Sequence, residues 1–234
     1  MNNGLRQITC LWDIPISDLP LEQVYQWVGA KKLSAPMAIL MADFELLLRC
    51  KWQNATRQAC LCAERVFAQD AQVRVAMAMM GHPLENMAFS AKELLLRLME
   101  RGGKRFFFLG GLTGMARRAA VALSEEAGCK PCPAVGGAPD GFCRFGCENT
   151  AVLTRIWECQ PDVVAVCLDD GMEWFCQNRS LLPPALYICV PSALIAVWSG
   201  KEGREGNWQR SLRRRCKEKL FYFSVKRRDA VLFS

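Results

Sequence analysis

Residues 105–128, RFFFLGGLTGMARRAAVALSEEAG, limit the chain more than any other stretch, because they specify a strand, a tight turn and a helix in immediate succession. Phe106, Phe107, Phe108 and Leu109 form a short unbroken apolar run, the pattern of a strand covered on both faces. Gly110 and Gly111 let the backbone turn sharply. Thr113 is placed to cap the helix that follows; Met115, Ala119, Ala122 and Leu123 share one helical face, and Gly128 is a stop signal. A strand, a glycine turn and a helix N-terminus together make an anion site, since free N–H groups and the positive end of the helix dipole point at the same spot. The same pattern also describes a tight β–α turn that binds nothing, and an isolated glycine pair does not separate the two.

The rest of the chain repeats this alternation. Residues 8–17 read as a strand and a turn, and residues 20–28 as a short amphipathic helix with Leu21, Val24, Trp27 and Val28 inward. Residues 37–41, 162–168 and 185–190 read as buried strands, with shorter ones ending at Val66-Phe67 and starting at Ala134-Val135. Helices are expected over 43–50, 54–65, 71–80, 150–159 and 174–180, and a capping box, Ser90-x-x-Glu93, opens another that closes at Gly102-Gly103. Strands alternating with helices predict an α/β, Rossmann-like fold: a mainly parallel sheet flanked by helices, with its ligand at the C-terminal ends of the strands.

Composition decides the class of chain and where its charge sits. With 51% hydrophobic and 23% charged residues the chain has the material for a core and is not a disordered one. The longest apolar stretch, residues 183–198, is broken by Pro183, Pro184 and Pro191 and is too short to span a bilayer. The N-terminus lacks a basic segment followed by an apolar run, so a cytoplasmic protein is expected. The thirteen cysteines are then reduced and packed as small apolar residues, and their odd number argues against a complete disulfide framework. Residues 201–234 hold eleven Lys/Arg against four Asp/Glu, which accounts for the whole net charge of +7 and leaves residues 1–200 neutral. Two units follow, an α/β body over 1–200 and a basic appendage over 201–234, and the asymmetry points to an anionic partner surface.

The ordered run RGGKRFFFLGGLTGMARRAA, CKPCPAVGGAPDGF, PDVVAVCL and a following Trp resembles the WecG/TagA/CpsF family of bacterial glycosyltransferases. Upstream, residues 20–70 resemble the family's helix, strand, helix and turn, and GHPLE resembles the segment before its capped helix. The resemblance spans about residues 8–200. It implies an inverting, metal-independent enzyme that needs no cofactor. That enzyme moves N-acetylmannosamine or a related sugar from a UDP-sugar to a polyprenyl-diphosphate-linked acceptor at the inner membrane face, in cell-envelope polysaccharide synthesis. Asp70 falls at the family's catalytic aspartate, the base that takes the acceptor hydroxyl proton. Read without the family, Asp70 caps the helix that starts at Ala71. Gly110, Gly111 and Gly114 fall on the nucleotide-sugar turn, Gly137, Asp140 and Gly141 on a second turn, and Trp174 on a third motif.

Several family positions differ. The family's Thr-x-Asn falls on Leu40-x-Ala42, its Gln-Glu pair on Gly171 and Met172, an aspartate on Ile195 and an arginine on Asn86. Losing these polar groups removes hydrogen bonds that orient a substrate, and opens a second reading: a homologue without catalysis that serves as a binding or regulatory partner. Asp169, Asp170 and Glu173 lie beside the altered motif, as replacement polar groups or as rim carboxylates. Cys129, Cys132, Cys143 and Cys147 have a spacing that can hold zinc, but they bracket the second glycine turn, and no metal is expected. His82, the only histidine, sits in a Gly-His-Pro turn and is given no catalytic role.

The tail reads on its own as an amphipathic basic helix. Trp208, Leu212, Cys216, Leu220 and Phe223 recur at three- and four-residue steps among Arg210, Arg213, Arg214, Arg215, Lys217 and Lys219. Such a helix suits an anionic membrane surface; the family resemblance implies that Arg210, Arg213, Arg214 and Arg215 meet the lipid diphosphate, with the protein held peripherally on the cytoplasmic membrane. The alternative is a solvated basic face on a helix packed to the body. No nucleic-acid partner is expected, because the body has no matching basic stripe or motif.

Overall fold

The computed structural model describes residues 9–30, 33–84, 89–112, 114–128, 146–200 and 214–225. Five strands form one parallel sheet: β3 (Met37–Ala42), β4 (Arg65–Ala68), β5 (Phe106–Gly110), β6 (Val163–Cys167) and β7 (Leu186–Val190), in the order β4-β3-β7-β6-β5. A separate hairpin, β1 (Thr9–Leu11) and β2 (Ile14–Ile16), turns through Trp12 and Asp13, both in the left-handed region. The sheet is what the unbroken apolar runs predict, since strands covered on both faces have no reason to alternate with polar residues.

Two helical layers cover it. One face of the sheet presents Leu40, Val66, Phe107, Leu109, Val164, Val166, Tyr187 and Cys189. These pack against the hairpin, α2 (Phe44–Trp52), α3 (Asn54–Leu61), α4 (Ala71–Met79), α7 (Cys147–Cys159) and α8 (Gly171–Asn178). The other face presents Met37, Ile39, Met41, Phe67, Phe106, Phe108, Ala165 and Ile188, and is covered by α1 (Leu21–Ala30), α5 (Ala91–Glu100), α6 (Met115–Glu126) and α9 (Ala193–Trp198). Alternate residues of each strand serve opposite layers, which is the period of a strand. A last helix, α10 (residues 214–225), lies on the first face and sends Phe221 and Val225, both fully buried, into its core. Phe221 meets Trp12 and Phe44 edge-on, at ring separations of 5.4 and 5.8 Å. Residues 214–225 of the basic appendage thus share the core of the body.

Several boundaries differ from the sequence reading for local reasons. The helix expected over 54–65 ends at Leu61, and Arg65 already belongs to β4, whose edge position leaves that residue exposed. α6 takes Gly114 as its N-cap, in the left-handed conformation and without a side-chain hydrogen bond. α7 and α8 start about a turn before the sequence suggests, and α9 was hidden in the apolar run 183–198. The Ser90–Glu93 capping box forms as predicted, with Ser90 Oγ accepting from the Glu93 N–H and Glu93 Oε2 accepting from the Ser90 N–H at 2.6 Å. The strand expected at Ala134-Val135 lies outside the described residues.

Candidate active site

The chain leaves β7 toward α9 on one face, while the chains leaving its two neighbours, β3 and β6, go to α2 and α8 on the other. Divergence of this kind at adjacent parallel strands opens a crevice at their C-terminal ends, where ligands of such folds sit. A cleft of about 240 Å³ lies there. Leu40, Met41, Cys189 and Val190 form its floor at the strand ends; α2 supplies Asp43, Glu45 and Arg49, α3 supplies Thr56, and the β6–α8 turn supplies Asp169, Asp170 and Glu173. α10 closes one side with Lys217.

Polar contacts hold these walls in place. Lys217 pairs with Glu45 at 2.5 Å, tying α10 to α2. Arg49 donates to the Asp169 carbonyl at 2.5 Å, tying α2 to the β6–α8 turn. The Thr56 hydroxyl donates to Glu173 at 2.7 Å, and the Ser192 hydroxyl donates to Asp169 Oδ1 at 2.6 Å. Asp169, Asp170 and Glu173, beside the altered family motif, therefore do line the cleft.

Two aspartates stand together at this end of the sheet, each at a helix start. Asp43 caps α2, with Oδ1 accepting from the Leu46 N–H at 2.8 Å. Asp70 caps α4, with Oδ1 accepting from the Val73 N–H at 3.1 Å, and its Oδ2 accepts from the Phe44 N–H at 3.2 Å, so it spans the starts of α4 and α2. Burial raises both carboxyls above the ordinary range. For Asp43 the backbone hydrogen bond opposes burial, but the charges of Asp70 and Glu45 add to it, and the group is pushed up to about 6. For Asp70 two backbone N–H groups and the charges of Arg214 and Arg74 oppose burial.

The residues singled out from sequence fall in different places. Asp70 takes the helix-cap geometry and is not among the cleft-lining residues. Gly110 and Gly111 form the turn after β5 with positive φ, and both are closely packed. A side chain on Gly110 would put Cβ 2.2 Å from the Cys167 carbonyl oxygen, and one on Gly111 would put it 2.8 Å from Ile195 Cγ2. Ile195, 1% exposed, thus fills the concave side of the turn from α9. At Gly114 the Arg118 guanidinium comes within 3.1 Å of the Cβ position. Trp174 is fully buried behind the cleft, its Nε1–H donating to Asn149 Oδ1 at 2.7 Å. Gly137, Asp140, Gly141, Arg210 and Arg213 lie outside the described residues, as do Cys129, Cys132 and Cys143. Arg214 lies over the Phe44 ring at 5.9 Å, and Arg215 is exposed.

The tail helix turns a different side to the body than its apolar spacing suggests. Phe221 and Val225 face inward, while Leu220 and Phe223, on the predicted apolar stripe with Cys216, are 46% and 57% exposed. α10 therefore has a second, outward apolar stripe flanked by Arg215 and Lys219. Among the described residues no helix is long and apolar enough to cross a membrane, no group of three or more His, Cys, Asp or Glu side chains is arranged to hold a metal ion, and ten cysteines are free thiols.

Asp43, Arg49, Thr56 and Lys217 were not singled out from sequence. For Asp43 the signal was present: an aspartate directly after a buried strand and at the start of a helix, the same pattern that drew notice to Asp70. Arg49 and Lys217 carried no such signal, because only the fold brings α2 and α10 to one cleft.

No curated protein matches the chain. The model of the WecG/TagA/CpsF glycosyl transferase family matches residues 9–214, a span that takes in the hairpin, the whole sheet and the start of α10. With the cleft at the strand ends of a parallel α/β fold, that match makes the chain a member of the WecG/TagA/CpsF family of glycosyl transferases.

Proposed function

We propose that this chain is an inverting, metal-independent glycosyltransferase that moves an N-acetylhexosamine, of the N-acetylmannosamine type, from a UDP-sugar to a polyprenyl-diphosphate-linked acceptor during cell-envelope polysaccharide synthesis. The observation that carries the reading is the cleft at the β3–β7 divergence, with carboxylates in its walls, in a chain of this family. A single displacement needs a carboxylate to take the acceptor hydroxyl proton, and Asp70, the assignment by resemblance, stands next to the cleft-lining Asp43 by accepting from the Phe44 N–H. The Gly110-Gly111-Gly114 turn, at the start of α6 and beside Arg118, suits the donor diphosphate, joined by Gly137, Asp140 and Gly141. Trp174 would act from behind by fixing α8.

The outward stripe of α10 supports a peripheral place on the cytoplasmic membrane. Leu220 and Phe223 would enter the interface while Arg215, with Arg210, Arg213 and Arg214, meets anionic headgroups or the acceptor diphosphate. Lys217 links that helix directly to the cleft wall.

One observation favours a second reading, a binding partner without catalysis: Ile195 packs into the glycine turn where the family carries an aspartate. Calorimetric titration with UDP and UDP-N-acetylhexosamines, followed by transfer to a polyprenyl-diphosphate-linked sugar, separates the two. Micromolar binding with a preference for one sugar, and product formation without added metal, is the result expected. A folded protein that binds no nucleotide sugar refutes the transferase reading and leaves the binding one.

A further inference from the structure

We propose that Cys50 and Cys60 form a reversible dithiol site on the cleft wall, which a peroxide converts to a disulfide joining α2 to α3. The oxidation stands on its own geometry, and its consequence for catalysis rests on the transferase reading above. Both residues are free thiols, Cys50 on α2 and Cys60 on α3, and their Sγ atoms lie 3.6 Å apart and share a hydrogen bond. A disulfide needs its sulfurs about 2.05 Å apart, so closing the 3.6 Å gap takes up about 1.5 Å. Cys60 lines the cleft and Cys50 touches it from α2, so a small oxidant that enters the cleft meets the pair, while the fold screens both thiols from bulk solvent.

Burial alone leaves a thiol inert, because the thiolate is the reactive form. Cys50 differs. The hydrogen bond from Cys60 lowers it below the ordinary thiol range against the effect of burial, and the charges of Arg49 and Arg57 act in the same direction. That hydrogen bond and burial push Cys60 the other way, so the two thiols have different parts: Cys50 attacks and Cys60 resolves. A second thiol contact joins Cys62, the C-cap of α3, to Cys176 of α8. Cys62 is exposed, but burial pushes Cys176 up to about 12, so Cys176 is not the nucleophile that Cys50 is.

The steps balance with the oxidant named. The Cys50 thiolate attacks one oxygen of the peroxide, the O–O bond breaks, and the other oxygen takes the proton given up by Cys50 and leaves as water. The Cys60 sulfur then attacks the sulfur of the Cys50 sulfenic acid, and the Cys60 proton leaves with the sulfenic hydroxyl as a second water. Two thiols lose two electrons and one hydrogen peroxide is reduced to two waters. A small-molecule thiol reverses the bond by exchange. Arg49 directly precedes Cys50, and Thr56 lies four residues before Cys60 on the same face of α3; both line the cleft. Drawing the sulfurs together therefore shifts Arg49 against the Asp169 carbonyl that it holds, and Thr56 against Glu173.

The test treats the full chain with hydrogen peroxide, alkylates the remaining thiols during unfolding, and maps the peptides by mass spectrometry. Trypsin cuts after Lys51 and Arg57, between the two cysteines, so their peptides stay together only through the bond. The expected result is a linked Cys50–Cys60 pair, two hydrogens lighter than the reduced one and reversed by dithiothreitol. The oxidised protein is expected to transfer sugar at least about tenfold more slowly, since displacing an orienting group by about 1 Å is felt that strongly, and to regain its rate on reduction. Cys50→Ser keeps the side-chain volume and Cys50→Ala avoids a buried hydroxyl; whichever folds should keep its transfer rate through the same treatment. Cys50 and Cys60 both recovered alkylated while other thiols oxidise, or a bond from Cys62 to Cys176 in their place, overturns the inference. A Cys50–Cys60 bond that leaves the transfer rate unchanged overturns its hold on the cleft. A folded chain that binds no nucleotide sugar removes the transferase reading, and the peptide map still decides the thiol pair.

Discussion

Replacing Asp43 by Asn is expected to stabilise the protein above pH 6 and to leave it unchanged near pH 4. Burial and the neighbouring charges of Asp70 and Glu45 hold the Asp43 carboxyl at about 6 against a reference of 3.8. The native state therefore binds this proton more tightly than the unfolded chain does. For an acid raised in this way, the favourable contribution is present below the unfolded value and is lost as pH rises from about 4 to about 6. A rise of roughly two units at 1.36 kcal/mol per unit gives about 3 kcal/mol of cost at pH 7. An ionised cap at a helix start recovers roughly 0.3–1 kcal/mol of this through the helix dipole, and Asn forfeits that while keeping the cap hydrogen bond. The net expectation is about 2 kcal/mol of added stability for Asp43→Asn at pH 7–8, fading to nothing by about pH 4. Urea unfolding of both proteins at unit steps from pH 4 to 8 measures it. A difference that does not change with pH, or a variant less stable at pH 7, refutes the account of a strained, buried carboxylate. A group retained at that cost and facing a cleft is the pattern of a functional residue.

Gly110→Ala should be severely destabilising, because Cβ would lie 2.2 Å from the Cys167 carbonyl of the adjacent strand at a φ of +123°; a loss of about 3 kcal/mol or more is expected, read as a fall in Tm of roughly 10 °C, and a shift under 3 °C would mean that the β5–β6 contact is looser than drawn. Phe221→Ala should cost about 3–5 kcal/mol, since the ring is fully buried against Trp12 and Phe44, and should make residues 214–225 cleavable by trypsin while the body persists; equal resistance in wild type and variant would show that α10 is held by other contacts. The double change Leu220→Ser and Phe223→Ser should leave stability within about 0.5 kcal/mol, because both side chains are largely exposed, yet reduce partition onto anionic vesicles at least about tenfold; unchanged partition would remove the outward stripe from membrane binding.

Where a residue's environment is set by its own strand or helix, its role could be read in the sequence. The apolar runs at Phe106–Gly110 and Leu186–Val190 could only be strands buried on both faces, and the Ser90–Glu93 pair could hardly be other than a capping box. Asp70 as a cap followed from its place before Ala71. What the sequence could not supply was the meeting of distant elements. Arg49 reaches Asp169 across 120 residues and Lys217 reaches Glu45 across 172. Neither pairing has a local pattern, so the cleft walls were invisible even though three of the acidic residues in them, Asp169, Asp170 and Glu173, had been noted. The tail shows a subtler failure. Its three- and four-residue spacing was read correctly as one apolar stripe, but that stripe faces outward, and burial falls on Phe221 and Val225 instead. Periodicity locates a face without saying which of two apolar faces meets the core.

The altered family positions gain a physical pattern once they are set on the fold. Leu40 lines the cleft floor, Ile195 fills the glycine turn, and Gly171 lies against Val166, with the Cβ position 3.2 Å from its Cγ1. Each change moves a polar position toward tighter apolar packing near the sheet. The polar chemistry of the cleft instead comes from side chains of α2 and its cap, of α3, of the β6–α8 turn and of α10, further out from the strand ends. On the proposed reading, a ligand held there would be oriented by Asp43, Arg49, Thr56 and Lys217, groups carried on helices or their caps, rather than by polar side chains on the strands. Such a site depends on α10 staying docked, because Lys217 and the Phe221 anchor belong to one helix. Loss of the Phe221 ring should therefore weaken ligand binding in the cleft as well as stability. Substitution of Leu220 and Phe223, on the opposite side of the same helix, should leave binding in solution intact.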